Sequence, residues 1–203
     1  GPTALLVHPA DPNRVMVGFR SLLGQGLFAT SDGGTTWKNL YHERSFDTIV
    51  GDPADPLRLW LGNRSGLYRS DDGGVTVTRV ADGPVTAIDL DGRRLVIGGE
   101  NVRVSTDGGR TFRTADTGAL AIHVSDLLRV GDTYYAATAS SGASGLLQGG
   151  RGVLRSTDRG RSWHNISTGL QNTDTTKLAA SPDGRTLYVG TLDGGVHRLG
   201  LRR

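Results

Sequence analysis

The sequence predicts an all-β fold: a β-propeller of five blades of four antiparallel strands, with the last blade incomplete. Three observations lead there. An eight-residue box recurs four times, as Thr30-Ser31-Asp32-Gly33-Gly34-Thr35-Thr36-Trp37, Ser70–Val77, Ser105–Phe112 and Ser156–Trp163. Its Asp falls at 32, 72, 107 and 158, giving gaps of 40, 35 and 51 residues, a spacing that suits propeller blades. The same surroundings precede every box: an apolar stretch, a turn signal, and a run of period-2 alternation ending near a small residue.

The elements follow in order. Leu5–Val7, Ile49-Val50, Ala87–Leu90 and Leu127–Val130 read as strand A of successive blades. Pro9-Ala10-Asp11-Pro12, Pro53-Ala54-Asp55-Pro56, Asp91-Gly92 and Gly131-Asp132 are the turns after them. Val15–Gly18, Leu59–Gly62, Leu95–Gly98 and Tyr134–Ala137 are strand B. A loop, strand C, the box turn and strand D complete each unit, with the box aromatic starting strand D and packing on its own sheet. A fifth unit has Lys177–Ala180, Leu187–Val189 and Val196–Leu199 as strands A to C. Asp193-Gly194-Gly195 imitates a box, but aligning Gly190 with Gly62 puts it in a B–C loop, and no aromatic follows five positions on. The expected domain is 1–203, with blades near 3–40, 41–80, 81–115, 116–166 and 167–203. The alternative is a piece of a larger, six- to ten-bladed propeller. Gly1-Pro2 has the form left by a tag-cleaving protease. Segment 116–130 is the one place where a helical turn could hide, and Gly118 and Ser125 weaken it.

Composition removes several classes. With 31 Gly and 7 Pro in 203 residues, the chain is turn-rich but below the roughly 25–30% that marks disorder. No Cys means no disulfide, thiol nucleophile or Cys-bound metal. No apolar run is long enough to span a membrane. The five His (8, 42, 123, 164 and 197) lack metal-ligand spacing, so neither metal nor cofactor is expected. Net charge is only +3, yet 21 Arg stand against 2 Lys, and 18 Asp against 2 Glu. Eight of those Arg occupy repeat positions: 14, 58 and 94, then 69, 155 and 198, then 110 and 161. Positive charge spread by a template argues against a nucleic-acid patch.

The box resembles the Asp-box, or bacterial neuraminidase repeat, found in sialidases, xyloglucan-type glycosidases, sortilin-type receptors and propeller-type photosystem II assembly factors. Val77 replaces the aromatic in the second box, and Arg159 replaces the first Gly in the fourth. The resemblance implies that Asp32, Asp72, Asp107 and Asp158, with Trp37, Phe112 and Trp163, are structural, and that ligands bind on the opposite face. It also implies an extracytoplasmic protein.

That opposite face carries the B–C and D–A loops, which are irregular where the other turns are short. Thr138–Arg151 is the longest, with Leu146, Leu147 and Gln148; 19–25 is shorter, with Arg20, Leu22 and Leu23. Paired Leu in loops are candidate partner anchors. The D–A loops add Tyr41, His42 and Arg44, then His123, which precedes strand A of the fourth blade, then Gln171, Asn172 and Asp174. Glu43 and Glu100, the only two Glu, also fall there and are the candidate catalytic carboxylates, since glycoside hydrolysis needs two carboxyl groups facing one cleft. The sialidase likeness would use Arg20, Arg44 and Arg64 with Tyr41. Tyr41, Phe19 and Phe46 are the candidate aromatic platforms for sugar rings. The leading expectation is a non-catalytic scaffold that binds a protein or peptide. Carbohydrate binding or glycoside hydrolysis is the rival, and the unfinished fifth blade offers a route to self-association through its strand C edge.

Overall fold

The computed structural model describes residues 1–21, 24–118, 122–140 and 149–201. It consists of five antiparallel sheets, each a meander in chain order. Sheet 1 is β1 (Pro2–His8), β2 (Asp11–Ser21), β3 (Gly24–Thr30) and β4 (Lys38–Tyr41). Sheet 2 is β5 (Thr48–Asp52), β6 (Asp55–Gly62), β7 (Gly66–Ser70) and β8 (Thr78–Asp82). Sheet 3 is β9 (Ala87–Asp91), β10 (Arg94–Gly98), β11 (Val102–Ser105) and β12 (Arg113–Thr114). Sheet 4 is β13 (His123–Val130), β14 (Thr133–Ala139), β15 (Gly152–Ser156) and β16 (His164–Asn165). Sheet 5 has three strands, β17 (Thr175–Ala180), β18 (Thr186–Thr191) and β19 (Gly195–Gly200). The turn at 192–194 joins β18 to β19, so Asp193-Gly194-Gly195 is a B–C connection. No helix occurs among the described residues, and none is long and apolar enough to cross a membrane.

The chain forms two compact units, Gly1–Gly92 and Arg93–Arg203. In the first, Leu27, Ile49, Leu59, Leu61 and Tyr68 make a core with Phe46, flanked by Leu6 and Met16. In the second, Val96, Val102 and Val104 pack with Val124, Tyr134, Leu154 and Trp163. A further cluster joins Tyr135 and Val153 to Leu187 and Val189. Alternation explains the pattern. Odd and even positions of one strand point to opposite faces, so sheet 4 gives Tyr134 and Leu154 to one cluster and Tyr135 and Val153 to the next.

A small residue ends the second strand because the chain passes over it. A Cβ on Gly18 would lie 2.5 Å from the Phe46 carbonyl oxygen, one on Gly62 would lie 2.6 Å from that of Val85, and one on Gly98 would lie 2.4 Å from Val124 Cγ1. Phe46 and Val85 are fully buried. The chain entering the next blade thus crosses each of these glycines, by a loop at Phe46 and Val85 and by the start of β13 at Val124.

The boxes close the opposite end. In each, the leading Ser or Thr hydroxyl donates to its Asp (2.7–2.8 Å) and accepts from the amide of the second Gly (2.8–3.0 Å). The other carboxylate oxygen accepts from a hydroxyl four residues on: Thr36, Thr76 and Thr111 at 2.6 Å, and Ser162 at 2.7 Å. This last hydroxyl is visible in the sequence before every aromatic position, but is absent from the sequence reading. Arg159 adopts the left-handed φ of 62° that Gly takes in the other three boxes.

Two expectations are corrected here. Strand D starts one residue after the box aromatic, not on it. The aromatic also reaches beyond its own sheet: Trp163 is buried against Val96 and Val104 of sheet 3, whereas Trp37 is 46% exposed. Both indoles donate to the second Gly carbonyl of their box.

Box hydrogen bonds favour the ionised carboxylate. The Thr36 hydroxyl and amide hold Asp32 down to about 2, and the Thr76 hydroxyl and amide do the same for Asp72. The Thr111 hydroxyl drives Asp107 lower still. Burial raises Asp158, but bonds from Ser162 and Ser156 outweigh it, leaving about 2. A carboxylate depressed in the folded state stabilises above its unfolded value, near 3.8, and loses that contribution as pH falls through the folded value. The melting temperature should therefore hold above pH 5 and decline between about pH 4 and 2. Asp72→Asn should melt lower at pH 7 and show a shallower acid decline, both read by circular dichroism.

A second expectation concerns the second box Gly. A Cβ on Gly74 would meet Leu27 Cδ2 at 2.7 Å, whereas on Gly34 it would find only its own Trp37 at 3.8 Å. Both have φ near 95°. Gly74→Ala should cost more in urea unfolding than Gly34→Ala, by about 1 kcal/mol or more, since backbone strain is common to both. Equal costs would remove the role assigned to the contact with Leu27.

Candidate functional site

The irregular end of the first unit is built on the crossing loop at 42–47. Phe46 anchors it, edge-on to Tyr68 (5.5 Å between ring centroids) and tilted on Tyr41 (6.1 Å). Phe46 is therefore core and not an exposed sugar platform. Asn63 fixes the neighbouring turn. Its Nδ2 donates to the Ser45 carbonyl (3.1 Å), while its Oδ1 accepts from the Ser65 and Gly66 amides (2.8 and 3.2 Å).

Charged side chains lie on this frame. Arg20 forms an ion pair with Asp47. Arg44 donates from Nη1 to the Tyr68 hydroxyl (2.7 Å), and its guanidinium lies 5.2 Å from that ring's centroid. The Tyr68 bond holds the Arg44 pKa above its ordinary value. Arg44 Nε is buried without a hydrogen-bond partner. The Tyr41 hydroxyl donates to Glu43 Oε2 (2.9 Å), and Gln25 Nε2 donates to the Glu43 carbonyl (2.8 Å). Burial and the Glu43 bond both raise the Tyr41 pKa, so its phenol stays protonated at neutral pH and is a poor nucleophile. His42 and Arg64 are exposed at the same end of their sheets. The structure thus brings Tyr41, Glu43 and Arg44 into one loop region, but ties Arg20 and Arg44 to other partners. Phe19 stands edge-on to Phe28 (6.0 Å).

The irregular end of the second unit is organised by Asp174. Its Oδ1 accepts from the Ser140 amide and hydroxyl (both 2.6 Å) and from the Gly150 amide (2.9 Å). Those bonds, led by the Ser140 hydroxyl, hold its pKa below the usual range. Thr175 is fully buried beside it, accepting from the Thr138 amide (2.8 Å) and within 3.0 Å of the Thr138 and Gly152 carbonyls. The long loop therefore leaves the sheet from a closed base. Asp174 is a clamp in this geometry. Asn172 bonds the Leu192 carbonyl and accepts from the Asp174 amide (2.9 Å), and Gln171 is exposed. His123 is the first residue of β13, paired with Ala139, and not a loop residue as expected. The strand runs back past 127 because a bulge at Ser125 absorbs the extra residue. Glu100 is exposed between β10 and β11. Leu22, Leu23, Leu146, Leu147 and Gln148 lie outside the described residues. A cavity of 160 Å³ lies between residues 166–170 and β18–β19, with Val153, Leu187 and Val189 at its floor and His197 on its wall.

No group of three or more His, Asp or Glu among the described residues is placed to hold a metal ion. Two of the template Arg form ion pairs at the other end of the sheets. Arg58 meets Asp52, Asp55 and Asp71 at 3.0–3.3 Å, and Arg69 meets Asp71 at 2.8 Å with its guanidinium over Trp60.

Four-stranded antiparallel meanders in series, closed at one end by box turns and irregular at the other, define a β-propeller fold. No protein-family model matches the chain, and no curated protein matches its sequence. Solved structures do. The GH74 xyloglucanase from Xanthomonas campestris matches with a TM-score of 0.74 at 19% identity, over 100% of this chain and 38% of that one. An ancestral GH74 enzyme gives 0.72 at 18%, over 93% and 27%. YCF48 bound to a D1 peptide gives 0.64 at 15%, over 97% and 64%. The chain thus spans about a third of the length of the GH74 structures. At these identities the likeness is one of fold.

Replacing Asp174 with Ala should free both ends of the long loop. Amide exchange at Ser140 and Gly150 should accelerate by about tenfold or more, with the amides of β18 unchanged. Unaltered exchange at both positions would show that Asp174 does not hold the loop.

Proposed function

We propose that the protein is a non-catalytic binding scaffold whose irregular loop face holds a protein or peptide partner bearing acidic groups. The observation that carries this reading is the state of the polar residues around the 42–47 loop. Glu43 is engaged by Tyr41, Asp47 by Arg20, and the Tyr41 phenol is held protonated. Positive charge remains available at Arg64, which is exposed, and Arg44 keeps its charge beside the Tyr68 ring. Such a surface steers and orients an anionic segment without supplying an acid–base pair. YCF48, whose fold is similar, has a D1 peptide bound, which supports a peptide partner. The four boxes fit the Asp-box repeat in residue pattern and bonding, and we place the protein outside the cytoplasm on that resemblance.

The rival, a glycoside-cleaving propeller, draws on the GH74 likeness and on Glu43 and Glu100. Two assays separate the readings. On an array of peptides graded in acidic content, retention should rise with Asp and Glu and fall about tenfold or more with Arg64→Glu. Chromogenic glycosides should show no turnover. Turnover abolished by Glu43→Gln or Glu100→Gln would overturn the proposal.

A further inference from the structure

The two units differ in charge. Residues 1–92 carry 8 Lys and Arg against 11 Asp and Glu, whereas residues 93–203 carry 15 against 9. Part of the second unit's excess is gathered at the box end of sheets 3 and 4. Box 4 rests on sheet 3: Gly160 lies against Val96 and Val104, Trp163 is buried in the same core, and the Asp116 amide donates to the Arg161 carbonyl (2.9 Å). The start of β10 bridges both boxes. Arg94 Nη1 donates to the Arg159 carbonyl (3.3 Å), and Arg93 Nη2 donates to the Asp107 carbonyl of box 3 (3.4 Å). Arg110 and Arg161 hold one position in boxes 3 and 4, and both are exposed. Five guanidinium groups, on Arg93, Arg94, Arg110, Arg159 and Arg161, thus belong to two box turns and the one strand end that touches both.

Acids do not answer them. In sheet 2 the template Arg58 meets three Asp, but Arg94, at the same repeat position, meets a carbonyl. Asp71, which holds Arg58 and Arg69, is replaced by Thr106 in box 3 and Thr157 in box 4. Asp107 and Asp158 are bound within their own turns by hydroxyls and amides. Among the described residues, the one ion pair made by the five is Arg159 with Asp132 at 3.8 Å, the two side chains being 61% and 85% exposed. Arg159 adds a second observation. It stands where the other boxes have Gly, with φ of 62°. A side chain there strains the backbone, so the residue is unfavourable for the turn while it adds an exposed charge.

The patch lacks other means of recognition. No large apolar or aromatic side chain is exposed between residues 93 and 187 among the described residues. Nothing there can stack on a base or insert into a bilayer. Planar guanidinium forks pair with oxyanions through two-point contacts. We infer that the box end of sheets 3 and 4 binds an acidic polysaccharide, a chain whose repeated sulfate or carboxylate groups need neither stacking nor insertion. This site lies at the opposite end of the sheets from the loops assigned to the peptide partner and does not depend on that reading.

Fluorescence anisotropy with a labelled heparin octasaccharide tests the inference. The wild-type chain should bind it, with affinity falling about tenfold or more between about 50 and 300 mM NaCl. Arg110→Thr, Arg159→Gly and Arg161→Thr together install the residues that box 1 holds at those positions. This triple variant should bind about tenfold or more weakly. It should melt no lower than wild type, since the Gly relieves the left-handed strain. A control triple, Arg14→Thr, Lys38→Thr and Arg64→Thr, removes as much charge from exposed positions of the first unit and should bind within about twofold of wild type. No binding by wild type, undiminished binding by the first triple variant, an equal loss in the control, or tighter binding to a DNA duplex or to vesicles of anionic phospholipid would each overturn the inference.

Discussion

The structure depends on one close approach. At the end of each of the first three second strands a glycine lets the chain entering the next blade pass within van der Waals distance: Phe46 over Gly18, Val85 over Gly62, Val124 over Gly98. Any Cβ there would push a backbone carbonyl or a buried side chain out of place. The spacing between consecutive sheets at that end follows from this contact. So does the burial of Phe46 and Val85. At the opposite end, the boxes satisfy their own amides with a carboxylate and the leading hydroxyl, and two hydroxyls donate to that carboxylate. One end is therefore fixed by packing between sheets, the other by polar bonds inside a turn.

This division shapes the chemistry of the two ends. Each box Asp commits its carboxylate to local donors: Asp32 accepts from the Thr30 and Thr36 hydroxyls and from the Thr36 amide. At the same end, Arg58 and Arg69 are matched to Asp. Charge is less evenly matched among the crossing loops. There an arginine stacks on a tyrosine, another stands exposed, and a glutamate is held by a phenol. Recognition by such a surface is a matter of charge and shape more than of acid–base catalysis.

Much of this was legible in the sequence. The box spacing placed all four C–D turns, and aligning Gly190 with Gly62 separated the imitation box at 193–195 from the real ones. What escaped depends on neighbours in space. Phe46 sits in a polar loop and looks exposed until its glycine is identified as a landing site. Trp37 and Trp163 occupy the same box position and have opposite environments, because burial comes from the adjoining sheet and not from the repeat. Asp174 reads as a loop acid, yet its partners, Ser140 and Gly150, are more than twenty residues away. The bulge at Ser125 moved His123 onto a strand, a shift that alternation alone does not reveal. By contrast, the hydroxyls of Thr36, Thr76, Thr111 and Ser162 stood in plain view.

The crossing contact also bears on how the chain reaches this structure. Gly18 meets residue 46, Gly62 meets 85 and Gly98 meets 124, so each contact closes over fewer than thirty residues. The box turns close over still fewer. The entropy of ring closure rises slowly with length, but it must be met before the packing that repays it can form. Here it is met in small, similar instalments, one blade after another. The contacts at Gly18, Gly62 and Gly98 each join neighbouring blades, so assembly can begin at any of them and spread to its neighbours, as in other repeat arrays.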